Sequence, residues 1–265
     1  MYVIGERING MFVNVKEAIR NRDPKVIQDL ALAQMAAGAS ALDVNVGPAV
    51  SDAKGAMIWL VETIRQVTDA PLSIDTAKWD VMSTVIPMVA GDKIINSSKA
   101  DPEIAARCVK LAVENGAGMI GLTIDANGVP GNVEKRVECG AAFLMTAIEA
   151  GLAPQDVYLD PIILPVNVAS KQPCNVMEAI RQLALVSDPP PHFIIGLSNV
   201  SQRCLMNHLI NRTYLVMCLA AGLDAAIMDA CDKDLVEAAI SAEVLLDKHL
   251  YSDDYIKAWR MQKGI

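Results

Sequence analysis

Along the chain, a short run of β-branched or apolar residues is followed by a longer segment with helical periodicity, and this pair recurs eight times. The strand-like runs fall at 3–8, 41–46, 72–75, 93–97, 119–124, 157–163, 193–199 and 225–229. The helical segments fall at 24–37, 52–67, 77–89, 101–115, 133–150, 173–187, 205–221 and 233–247. Some open on a cap, as at Asp23 before Pro24 and Asp101 before Pro102, and several stop at a glycine such as Gly116 or Gly222. Strands joined through helices pair in parallel, so a closed barrel and an open doubly wound sheet compete. Eight such units in 265 residues match the size of a barrel. The open sheet usually carries a G-x-G-x-x-G turn after its first strand, whereas residues 5–10 read GERING and lack that spacing. The expected fold is α/β, a (β/α)8 TIM barrel forming a single domain over residues 1–265.

In a barrel the C-terminal ends of the strands build the active site. Reading each run to its end gives Glu6 and Asn9, Asn45, Asp75, Asn96, Asp125, Asp160, Ser198 with Asn199, and Asp229. Asp and Asn also serve as turn formers and caps, and Asp23 and Asp101 are read only as caps. Asp75, Asn96, Asp160 and Asn199 each close an apolar run and should face one shared mouth. That mouth has no His–carboxylate pair, no strand lysine and no Ser/His/Asp set, so no obvious acid or base is expected in it. His192 precedes the seventh run at the opposite end and is expected to be structural, and Cys231 is expected to be a core or supporting cysteine. Six scattered cysteines without a C-x-x-C pair, beside three histidines, argue against a metal site and for a reduced, cytoplasmic protein. A net charge of −8 with no Lys/Arg cluster argues against nucleic acid. No apolar run approaches the ~18 residues of a membrane span, and the N-terminus lacks a secretory pattern. Carboxylates and carboxamides suit a planar heterocycle: Asp accepts from an amidine-like N–H edge, while Asn gives one bond and takes another. A pterin has such an edge.

Four stretches are more specific: IGERINGMF (4–12), LDVNVGP (42–48), LDPIILPVNVA (159–169) and GLSNVSQ (196–202). In this order they resemble the methyltetrahydrofolate:corrinoid/iron–sulfur protein methyltransferases. These are pterin-binding barrels related to the folate module of cobalamin-dependent methionine synthase and, more remotely, to dihydropteroate synthase. The resemblance covers residues 1–255. It implies a homodimer that binds tetrahydrofolate or 5-methyltetrahydrofolate at the barrel mouth and moves a methyl group between N5 and the cobalt of a corrinoid (cobalamin) carried by a partner protein. It also implies that Asp75, Asn96 and Asp160 hold the pterin edge, that Gly196 and Ser198 line the ring, and that Gln202 lies toward the benzoyl side. Ile227 would pack on the ring face, with a plain core role as its rival, and Asn199, closest to N5, would be the catalytic donor. Lys and Arg positions that suit the folate tail in some relatives are here Ala184 and, approximately, Asn207 and His208. The altered tail positions tilt the expected role toward transfer from a methylated corrinoid protein to tetrahydrofolate during demethylation of a substrate such as glycine betaine. Donation to a corrinoid/iron–sulfur protein in the acetyl-CoA pathway, and a dihydropteroate-synthase-like condensation, are the alternatives.

Overall fold

Eight parallel strands close on themselves in chain order: β1 (Tyr2–Asn9), β2 (Ala41–Asn45), β3 (Leu72–Asp75), β4 (Lys93–Lys99), β5 (Gly118–Leu122), β6 (Val157–Asp160), β7 (His192–Gly196) and β8 (Ala225–Met228). Around them lie α1 (Val13–Asn21), α2 (Pro24–Ala36), α3 (Ala53–Arg65), α4 (Trp79–Val85), α5 (Pro102–Asn115), α6 (Val133–Glu149), α7 (Gln172–Leu183), α8 (Asn207–Ala221) and α9 (Lys233–Leu245). The structure, a computed structural model, describes residues 1–48, 50–248 and 260. It is a TIM barrel, as expected from the eight strand–helix units, and among the described residues no helix is long and apolar enough to cross a membrane.

Successive strand residues face opposite sides of the sheet, and the apolar residues divide accordingly. Leu42, Val44, Leu72, Ile74, Ile95, Leu159 and Ile195 pack outward against the helices in the main core. A second cluster fills the barrel interior: Ile4, Ala41, Ile94, Ile120, Ile194 and Ala225. Below it, at the N-terminal end, Tyr158 stacks on His192 with ring centroids 4.9 Å apart, and His192 Nδ1 meets Asp224 Oδ2 at 2.6 Å. His192 is therefore structural, as expected from its place before the seventh run. Two residues above the interior cluster, the same inward face carries Glu6, Asp43, Asn96, Gly196 and Ile227.

Several boundaries differ from the sequence expectation. Helix α1 was not anticipated; its N-cap Phe12 offers no side-chain bond, so only the spacing of buried Val15, Ala18 and Ile19 marks it. Strand β6 stops at Asp160 because Pro161 has no N–H and Ile162 takes a φ of 59°. Strand β7 stops at Gly196, and Leu197–Asn199 form a 3-10 turn rather than strand. Pro87 ends α4 early in a second such turn, Ile86–Met88. Asp23 and Asp101 are caps, accepting from Lys25 N–H and from Glu103 and Ile104 N–H respectively.

Candidate active site

The mouth is built on strands β2, β3 and β4, whose inward polar side chains bond one another across the sheet. Asp43 is buried, and its Oδ1 accepts from Ser73 Oγ at 2.7 Å and from Asn96 Nδ2 at 3.0 Å. Asn45 Nδ2 donates to Asp75 Oδ2 at 2.5 Å, and Asn45 Oδ1 accepts from Gly47 N–H at 2.6 Å. Asp75 and Asn96 are direct neighbours in the β3–β4 register. These bonds leave Asp75 Oδ1 and Asn96 Oδ1 without a partner among the described residues. Burial is the first cause that lifts the carboxyls of Asp75 and Asp43 above the usual range; for Asp43 the nearby Asp75 adds to it. Each of the two therefore holds its proton to a higher pH than a free aspartate does.

Asp160 faces this wall from the end of β6. Its Oδ1 accepts from Ile162 N–H at 2.8 Å, and its Oδ2 makes no bond to the described residues. Burial pushes its carboxyl up to about 7, against the pull of the Ile162 bond and the Arg136 charge. Glu6 completes the ring: Ser198 Oγ donates to its two oxygens at 2.7 and 3.0 Å. Burial raises Glu6 to about 7; the Ser198 bond opposes, Asp229 adds to the rise, and Arg7 opposes. The mouth thus holds two carboxyls that titrate near neutrality and can exchange protons at working pH, where the sequence suggested no acid or base.

Gly196 and Ile227 are register partners on β7 and β8, and partly buried Ile227 gives the mouth an apolar patch. A side chain at Gly196 would put its Cβ 2.9 Å from Asn199 Nδ2, so the absence of one lets the carboxamide lie over the strand end. The Asn199 side chain is exposed and makes no hydrogen bond to the described residues. Gln202 lies one turn further on; its carbonyl accepts from Asn167 Nδ2 at 3.3 Å, and its side chain is likewise unbonded.

The other strand-end expectations hold only in part. Strand β5 ends at Leu122, so the mouth position there is apolar; Asp125 caps Asn127 N–H at 2.7 Å in a turn beyond the rim. Asn9 caps Met11 N–H at 2.9 Å, and Asp229 meets Arg7 Nη1 at 3.4 Å. Cys231 is exposed rather than in the core. Asp43 was missed, although its alternation with Asn45 in LDVNV was the available signal. Ala184 caps the end of α7 and Asn207 opens α8, and neither brings a charge for an anionic tail.

Chemically, the ring offers unspent acceptors at Asp75, Asn96 and Asp160 above an apolar floor. It suits a planar, donor-rich edge and would repel an anionic one. The chain is 28% identical to a methylcorrinoid:tetrahydrofolate methyltransferase of Eubacterium limosum, over 99% of this chain and 97% of that protein. It is 28% identical to a methionine synthase of Mycobacterium leprae, covering 86% of this chain but only 20% of that longer protein. The dihydropteroate synthase structure from Thermus thermophilus has the same fold, with a TM-score of 0.65, 18% identity and 94% of each chain covered. Residues 13–229, which span every strand end of the mouth after β1, match the pterin-binding enzyme family, and the chain belongs to that family.

Proposed function

We propose that this chain is an enzyme that moves a methyl group between N5 of tetrahydrofolate and the cobalt of a corrinoid carried by a partner protein. The observation that carries the reading is the set of three side chains, Asp75, Asn96 and Asp160, each with an oxygen unspent inside the barrel mouth. A pterin presents ring N–H and amino groups that donate to such oxygens. The methylcorrinoid:tetrahydrofolate methyltransferase of Eubacterium limosum, 28% identical over nearly the whole chain, supports transfer from the corrinoid to the folate.

Asp75, Asn96 and Asp160 fix the ring, and Ile227 packs on its face. Asn199, whose carboxamide is not engaged elsewhere, bonds N5 and stabilises the charge that develops there during transfer. The same bond serves either direction. The corrinoid supplies the methyl carbon held on cobalt and keeps the electron pair when that bond breaks. When N5–H becomes N5–CH3 a proton leaves, and Glu6, titrating at about 7, can exchange one at the same rim. The partner caps the mouth and excludes water.

The reading includes a homodimer acting in the cytoplasm and a methyl supply from demethylation of a substrate such as glycine betaine. Pterin condensation of the dihydropteroate synthase kind would need cationic side chains for a diphosphate, whereas the rim from Glu6 to Asp229 is mainly acidic and its Arg7 is paired with Asp229. The test is anaerobic incubation of the purified protein with tetrahydrofolate and methylcobalamin or a methylated corrinoid protein, followed by chromatography for 5-methyltetrahydrofolate. Product formation is expected. Absence of both product and tetrahydrofolate binding would overturn the reading.

A further inference from the structure

Arg136 is a buried charge outside the mouth that holding a pterin does not by itself employ. It sits in the first turns of α6, is fully buried, and heads the buried side chains in size. Its Nε donates to the Pro161 carbonyl at 2.7 Å, and its Nη2 donates to the Ile162 carbonyl at 3.3 Å and to Oε1 of Gln172, the first residue of α7. Its Nη1 is buried without a partner among the described residues. Removing a guanidinium from water is costly, and a chain tolerates it where the charge serves a purpose.

The two carbonyls belong to the turn that directly follows Asp160. Ile162 is held there at a φ of 59°, a region that β-branched residues avoid. From that conformation its N–H reaches Asp160 Oδ1 at 2.8 Å. Asn175 Nδ2 donates to the Gly131 carbonyl at 3.1 Å, tying the start of α7 to the approach of α6, and Tyr214 Oη donates to the Pro173 carbonyl at 3.2 Å.

We propose that Arg136 is a positioning residue for the pterin site: it clamps the turn at Pro161 and Ile162 so that Asp160 keeps its unbonded Oδ2 available to the ring's N–H edge. This rests on the pterin reading and deepens it. The titratable and charged groups that face Asp160 are Arg136 from α6 and Tyr214 from α8. Burial raises Asp160 to about 7, and the Ile162 bond and the Arg136 charge both oppose it. Loss of Arg136 weakens both opposing influences, so the carboxyl rises further and is more protonated at neutral pH. The protonated form accepts N–H bonds poorly, and raising the pH restores the ionised one.

The experiment is anaerobic calorimetric titration of tetrahydrofolate from about pH 6 to about pH 8.5, on both sides of the Asp160 titration. Arg136→Gln is expected to lose about tenfold or more in affinity at neutral pH and to regain most of it at the alkaline end. In an Asp160→Asn background, Arg136→Gln should cause no further loss. A wild-type affinity and pH profile would overturn the inference, as would a uniform weakening at every pH that persists in the Asp160→Asn background. Should Arg136→Gln not fold, Arg136→Lys carries the test. It keeps the charge but cannot reach all three acceptors, so weaker binding is expected and unchanged affinity overturns. Wild-type protein that binds no tetrahydrofolate refutes the pterin reading itself, whereas normal wild-type binding with an indifferent Arg136 variant refutes only the clamp.

Discussion

Glu6→Gln should raise the stability of the protein near neutral pH while impairing its site. The native carboxyl is displaced from 4.5 to about 7, first by burial and then by Asp229, with Ser198 and Arg7 opposing. Between these two values the native state holds a proton that the unfolded chain has released. Wild-type stability therefore falls as pH rises through that window, by about 1.4 kcal/mol per unit and at most about 3.5 kcal/mol in all. Below the window both states are protonated and nothing is lost; above it the loss is complete and constant. Solvent contact at the rim screens part of the effect, leaving roughly 1–2 kcal/mol. The Gln side chain keeps an acceptor for the Ser198 hydroxyl but does not titrate, and the other raised carboxyls contribute to both proteins and largely cancel in the difference. Urea unfolding of the two proteins from about pH 4 to about pH 8 measures this directly. The variant should match wild type at the acid end and exceed it by roughly 1–2 kcal/mol at the alkaline end. A difference that stays constant across the range would refute the claim that Glu6 is held protonated by its surroundings.

The remaining predictions concern binding and turnover. Asp75→Ala or Asp160→Ala should weaken tetrahydrofolate binding by about 1–3 kcal/mol, because a ring donor is left without its acceptor; unchanged calorimetric affinity in both would remove the mouth as the pterin site. Asn199→Ala should leave binding nearly intact and lower turnover by about 10²–10³, as for other lone transition-state donors. Stopped-flow transfer to or from a Co(I) corrinoid, beside a folate titration, checks it, and turnover within a few-fold of wild type would contradict the assignment. Gly196→Ala should melt close to wild type yet transfer poorly, because its Cβ would displace the Asn199 carboxamide, which lies 2.9 Å away; a fully active Gly196→Ala would show that the placement of Asn199 is immaterial.

The barrel was legible because alternating strand and helix patterns persist through eight units, and caps such as Asp23 and Asp101 announce themselves by the proline that follows. Helix α1 was not legible because it has neither a capping side chain nor a proline. At the site, Asp75, Asn96 and Asp160 stood out as polar residues closing apolar runs. Asp43 did not, because a carboxyl in mid-strand is visible only once the inward face is known and its partners, Ser73 and Asn96, are seen on neighbouring strands. The near-neutral carboxyls were hidden for a similar reason: burial and the proximity of Asp229 to Glu6 are properties of the closed barrel and of no local segment. Asp125 misled because a turn-forming aspartate just beyond a strand looks the same in sequence as one that lines the mouth.

The side-chain bonds from Asp43 to Ser73 and Asn96, and from Asn45 to Asp75, run across three adjacent strands above their backbone ladder. They act as a second weave laid over the first. Shear between β2, β3 and β4 at the mouth would break both layers together, so that side of the cup is set during folding and no arriving molecule has to organise it. The opposite side is made of turns at Ile162 and at Leu197–Asn199. A ligand entering such a cup meets a stiff template on one side, and any adjustment to its shape falls to the other.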